Sequence, residues 1–152
     1  MEILKLAIAE HPFGKNLEPR FLKMLAGGAA HVSFKQDQHI FREGEECDFT
    51  FLINSGSVAV DIYSPTKGAI TIQTLSDGEV LGWSWLVPPF RKHFDARALE
   101  VVHAISIKGQ YLRDLCEQDH DFGYELLKRF IGVVANRLQK TRLQLIDIYG
   151  DN

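Results

Sequence analysis

The chain has 152 residues, 45% of them hydrophobic, with 17 basic against 20 acidic side chains and a formal net charge of -3. One compact domain with a substantial core fits that length, a second full domain does not, and the charge supplies no global basic field for gripping nucleic acid. No apolar run approaches the roughly 18 residues that span a bilayer. The start carries Glu2, Lys5 and Glu10 rather than a basic stretch followed by a long apolar one, so a cytoplasmic protein without membrane contact is expected. Cys47 and Cys116 could form at most one bridge and match no metal spacing, which excludes a disulfide scaffold.

In chain order, the periodicity divides the sequence into a helical lead over 1-30, a β region over 31-107 and a helical tail over 108-152. After Pro19, residues Phe21, Leu22 and Leu25 stand at helical spacing, and Gly27-Gly28 closes this one short helix as a C-terminal glycine cap would. From His31 to Ile107 the apolar residues alternate in short runs: Phe49, Phe51, Ile53; Val58, Val60, Ile62; Ile70, Ile72; Leu99, Val101, Ile105, Ile107. Ser55-Gly56, Thr66-Lys67-Gly68 and Asp77-Gly78 separate them, which reads as hairpins closing into a barrel or sandwich. Only the stretch around 83-87 interrupts with helical character.

The tail from Asp121 to Tyr149 contains no proline and predicts one long helix. Leu127, Ile131, Val134, Leu138, Thr141, Leu145 and Ile148 follow steps of four and three, the pattern of a coiled-coil seam with one polar interruption. Leu126, Phe130, Val133 and Leu143 widen the stripe. A helix over 121-149 would run roughly 43 Å, longer than a small barrel covers, so a homodimer through this helix is expected. The alternative is that the whole stripe packs within the chain.

The segment Ile40-Phe41-Arg42-Glu43-Gly44-Glu45-Glu46-Cys47-Asp48-Phe49-Thr50-Phe51-Leu52-Ile53-Asn54-Ser55-Gly56-Ser57-Val58 resembles the first signature of cyclic-nucleotide-binding domains. Gly44 and Gly56 suit turns that need positive φ, and Asp48 suits satisfaction of backbone donors in the loop. Gly78-Glu79-Val80-Leu81-Gly82 continues the resemblance, and Arg137-Leu138-Gln139-Lys140-Thr141 is similar to the long C-terminal helix of the catabolite-activator, Crp-Fnr type. The resemblance implies a mainly β fold with flanking helices, a double-stranded β-helix or jelly roll, dimerised by the last helix. Members that regulate transcription continue into a helix-turn-helix domain. This sequence stops at Asn152, so direct DNA binding is not expected, and a transcriptional role would need a partner carrying the DNA-binding domain.

The family's cyclic phosphate sits in a cassette that corresponds here to residues 78-98. The resemblance assigns ligand contacts to Leu81, Gly82, Trp83, Ser84, Trp85, Arg91, Lys92 and His93. Trp83 falls where the family has a glutamate that accepts from the ribose hydroxyl, and Lys92 where it has an arginine, with Arg91 a close competitor. An indole cannot accept that hydrogen bond, and a lysine offers a point charge instead of a planar fork. Two readings follow: a site for cyclic AMP, cyclic GMP or another anion with altered specificity, or a pocket filled by Trp83, Trp85, Phe90 and Phe94. Thr141 matches the helix threonine that reaches the base, with Arg142 beside it. As a second reading, Thr141 only fixes register.

Other chemistries lack their constellations. His11, His31, His39, His93, His103 and His120 show no paired ligand spacing, so no metal is expected, and the cyclic nucleotide or other anion above stays the one cofactor candidate. His103 reads as a partly buried strand residue and Cys47 as an accessible loop thiol. No nucleophile elbow, phosphate loop or carboxylate pair appears, and no enzyme activity is expected. The expected role is a stand-alone regulatory sensor. Anion capture at 82-93 would shift the packing of the roll against the 121-149 helix and alter a surface offered to a protein partner. The competing role is a constitutive dimeric scaffold.

Overall fold

The computed structural model describes residues 2-46 and 48-150, so the Cys47 thiol lies outside the described residues. The chain forms two compact units, one running to Leu115 and the other starting at Cys116.

In the first unit, eight antiparallel strands make two four-stranded sheets. The strands are β1 (Ala29–Phe34), β2 (His39–Phe41), β3 (Phe49–Ser55), β4 (Val58–Ser64), β5 (Gly68–Leu75), β6 (Val80–Leu81), β7 (Asp95–Ala98) and β8 (Val102–Lys108). One sheet runs β1-β8-β3-β6 and the other β2-β7-β4-β5, the two layers of a jelly roll. The expected fold class is therefore the observed one. The layers bury Phe41, Phe51, Ile53, Val60, Leu81 and Val102 between them, with Phe34, Phe49 and Phe94 packed against that core. Glycine in the left-handed region turns the chain between strands, with φ of +107 at Gly56, +75 at Gly68 and +85 at Gly78.

Strict alternation fails in places. Thr50 to Ile53 of β3 are all buried, and so are Ala104 to Ile107 of β8, because both faces of these central strands are covered. His103 is exposed, contrary to the partly buried position expected for it, and its Nδ1 lies 3.0 Å from Ser33 Oγ across the β1–β8 pair. Val101 precedes β8 and is exposed, as are Ile62 and Ile70, a cross-strand pair near the tip of the β4–β5 hairpin.

The helical lead holds more than the one expected helix. Besides α2 (Pro19–Ala26) it has α1 (Glu2–Glu10) and a 3-10 turn at Pro12–Gly14. Helix α1 packs on α2, and both meet β1. Gly27-Gly28 ends α2, but not as a left-handed cap: Gly27 is right-handed helical, with φ -63 and ψ -24, and Gly28 also lacks positive φ. The reason for both glycines is Tyr111, whose ring lies where their Cβ atoms would stand and whose hydroxyl donates to the Met24 carbonyl at 2.5 Å.

Helix α3 (Gly109–Gln118) leads out of the first unit. In the second, α4 (His120–Gly150) is capped by Asp119, whose Oδ1 accepts from Phe122 N at 3.0 Å. Gly123 lies against Cys116 at the α3–α4 junction. Burial and the charge of Glu117 push the Cys116 thiol up, away from a reactive thiolate. Among the described residues no helix is long and apolar enough to cross a membrane.

Candidate functional site

The cassette-like segment begins where β6 ends. Gly82 turns the chain at φ +93, and a Cβ there would stand 2.8 Å from Lys92 Nζ and 3.2 Å from the Phe49 carbonyl oxygen. Leu81 is wholly buried in the core below. Trp83 is half-buried and precedes a single 3-10 turn, Ser84–Leu86, closed by Leu86 N donating to Trp83 O at 3.0 Å. Ser84 Oγ is enclosed and has no hydrogen-bond partner among the described residues. Trp85 is buried at 1% exposure, and its Cβ lies against Gly109, where a side chain would overlap it. Trp85 is therefore core, while Trp83 keeps part of its surface open.

The three basic residues expected together take three different directions. Arg91 turns to the β2–β3 loop, donating from Nη1 to the Gly44 carbonyl at 2.8 Å and from Nη2 to Glu46 Oε1 at 2.9 Å. His93 is exposed. Lys92 points into the roll. At 3% exposure it donates from Nζ to the Phe49 carbonyl at 3.2 Å and places that ammonium 4.5 Å from the centre of the Phe41 ring. Its backbone is fixed as well, by Lys92 N to Glu45 O at 3.2 Å and Gly44 N to Lys92 O at 2.8 Å. The signature turn at Gly44 and the basic loop thus hold each other, and of the two candidates for the inward cation, Lys92 occupies that place. The Lys92 ammonium is thus held inside the roll against an aromatic face.

A second constellation carries no signal in the local sequence. Arg113 of α3 forks onto Asp48, Nη1 to Oδ1 at 3.0 Å and Nη2 to Oδ2 at 3.2 Å. It also donates to the Trp85 carbonyl at 2.8 Å and to Gln110 Oε1 at 2.8 Å, and lies 4.3 Å from the centre of the Phe90 ring. Phe90 holds φ +62, a strained value for an aromatic residue, beneath that guanidinium. Asp48, expected to serve donors in its own loop, instead caps α3 by accepting from Gln110 N at 2.9 Å. The pairing of Asp48 with Arg113 spans 65 positions, so only the acid's place in the signature hinted at it.

Thr141 and Arg142 lie on α4 in the second unit, both exposed, and Thr141 Oγ1 donates to the Arg137 carbonyl at 3.0 Å, one turn back. On the same helix Phe122, Leu126 and Phe130 are buried, whereas the seam residues are not: exposure runs from 37% at Val134 to 68% at Ile131, and Leu127, Leu138, Thr141, Leu145 and Ile148 are exposed with them.

Comparison with known proteins places this geometry. Residues 31–119 match the family model of the cyclic nucleotide-binding domain. A CRP-like cAMP-activated global transcriptional regulator of Mycobacterium tuberculosis is 24% identical over 134 residues, 88% of this chain but 58% of the regulator, so the chain spans somewhat over half the length of that relative. Among solved structures, a candidate cyclic nucleotide-binding protein from Geobacter metallireducens GS-15 superposes with a TM-score of 0.76 at 28% identity, covering 90% of this chain and 96% of that one. A cyclic nucleotide-binding domain from Methylobacillus flagellatus KT gives 0.80 at 17% identity, over 96% and 82%.

Proposed function

The chain belongs to the cyclic nucleotide-binding domain family, and from that premise we propose that it is a regulatory sensor whose roll receives a nucleotide-like anion on Lys92. The observation that carries this reading is the burial of the Lys92 ammonium inside the roll, beneath Gly82 and over Phe41. Placing a cation there has a desolvation cost that an entering phosphate offsets. Ser84 Oγ, enclosed and with its hydrogen-bonding capacity unspent, supplies a donor to the same anion. Trp83 offers a stacking face but no acceptor for a ribose hydroxyl, so cyclic AMP, cyclic GMP and other compact anions are the ligand class, with less discrimination for the sugar.

Ligand entry would be read through Arg113. It grips the Trp85 carbonyl and the Phe90 ring from α3, so a displaced cassette and an undisplaced α3 cannot both keep those contacts. A ligand with different affinity for the two arrangements shifts the population between them. The exposed seam on α4 supports pairing with a second copy. Sedimentation of Leu138→Asp is expected to give monomer where wild type gives dimer, and an unchanged mass would remove that seam as the interface.

Burial of Trp85 favours a second reading, a constitutive dimeric scaffold whose cassette is core. Tryptophan emission separates the two. Titration with cyclic AMP and cyclic GMP should shift the emission of half-buried Trp83 if the roll binds them, and an unchanged spectrum at about 1 mM ligand, far above useful affinity, would leave the scaffold.

A further inference from the structure

We propose that the N-terminal lead is an acid-released latch: the neutral His11 ring fastens α1 and the 3-10 turn to the end of β3, and protonation of that ring lets them go.

His11 is 4% exposed and both its ring nitrogens are engaged. Phe13 N donates to Nδ1 at 3.1 Å, so Nδ1 carries no proton, and Nε2–H therefore donates to the Ile53 carbonyl at 3.0 Å. Only one neutral tautomer can make both bonds. A second proton on Nδ1 would face the Phe13 N–H, donor against donor, and place a charge in a buried site.

The anchor point is shared. The Ile53 carbonyl also accepts from Gly78 N at 2.9 Å, so His11 ties the lead to β3 and to the β5–β6 turn together. The 3-10 turn is packed onto α1, because Gly14 folds back onto the Ile8 carbonyl so tightly that a Cβ would overlap it. Release would withdraw Ile8 and Phe13, both buried, from their seats.

Water and protons can reach the latch through an open cleft of about 520 Å³ lined by Glu10 of α1, His11, Pro12, Ile53 and Asn54 of β3, and Asp77. The charged groups around the ring are Glu10 and Asp77 on the cleft wall, and Glu79 lies near through its backbone carbonyl while its carboxylate accepts from Ser76 N. Burial pushes the ring below its ordinary value, and the carbonyls of Ile53 and Glu79 oppose that shift without overcoming it. A depressed folded value means that the stabilisation is complete above the unfolded value near 6.5 and drains away as pH falls below it.

Amide hydrogen exchange on the full chain tests the latch, at about pH 7.5 and about pH 5, with rates divided by their intrinsic values. Protection across Ile8 to Gly14 should fall at least about tenfold at the lower pH while the β3 and β8 amides keep theirs. His11→Gln, a side chain that can still donate to the Ile53 carbonyl but does not titrate, should give equal protection at both. Equal protection in wild type, or the same loss in His11→Gln, would overturn the proposal. If His11→Gln fails to hold the lead at either pH, the His11 ring titration followed by NMR in wild type decides. Its midpoint should coincide with the loss of protection, and a ring that titrates while the lead stays protected would also overturn it.

Discussion

Gly44 and Gly82, two of the left-handed glycines of the first unit, are glycine for different reasons. At Gly44, φ is +85 and nothing lies within 4 Å of where a Cβ would be, so only the backbone conformation demands it. At Gly82, φ is +93 and the Cβ position is hemmed in by Lys92 Nζ and the Phe49 carbonyl, so space demands it too. The β2–β3 signature turn is a matter of chain path, whereas the cassette turn is shaped around a buried cation. Turn geometry is local and can be read from residue order. A site built by packing across the roll cannot.

Substitutions sharpen that difference. Gly82→Ala combines left-handed strain with the displacement of an ammonium and should cost about 3 kcal/mol in urea unfolding. Pairing it with Lys92→Ala should recover part of that loss, and strict additivity of the two changes would break the link between this glycine and the lysine. Next in size is Arg113→Met, which leaves Asp48 and the Trp85 carbonyl without their charged donor and should cost about 2 kcal/mol. A cost near zero would show that the clamp between cassette and α3 is slack. Gly44→Ala should cost least, about 1 kcal/mol, since only the backbone is strained. A loss as large as that of Gly82→Ala would erase the distinction.

The same contrast explains what could be read in the sequence. The glycine turns, the long tail helix and strands β3, β4, β5 and part of β8 follow from period and punctuation, whereas β1, β2, β6 and β7 are not among the alternating runs and Leu99 and Val101 lie outside any strand; residues 40-58 and 78-82 point to the family that residues 31–119 match. The lead was harder to read: Glu2–Glu10 is only nine residues, too short to persist without the packing on α2 that no local signal announces. Gly27-Gly28 looks like a cap because glycine has two uses, and only the position of Tyr111 reveals that close approach is the one that applies. Around the cassette, the sequence brought Arg91, Lys92 and His93 to one loop. Which of them turns inward depended on Gly44 N and Glu45 O fixing the backbone of Lys92, and on Glu46 drawing Arg91 away.

A buried lysine kept for a ligand differs from one kept for the fold in what its removal does. Calorimetry of wild type and Lys92→Met against cyclic AMP and cyclic GMP, with urea unfolding of both proteins alongside, makes that separation. Wild type should release or absorb heat on binding, and Lys92→Met should bind at least about tenfold more weakly while its stability is unchanged or raised by about 1 kcal/mol. Absence of heat in wild type, or binding by Lys92→Met as tight as wild type, would contradict the placement of the anion on Lys92.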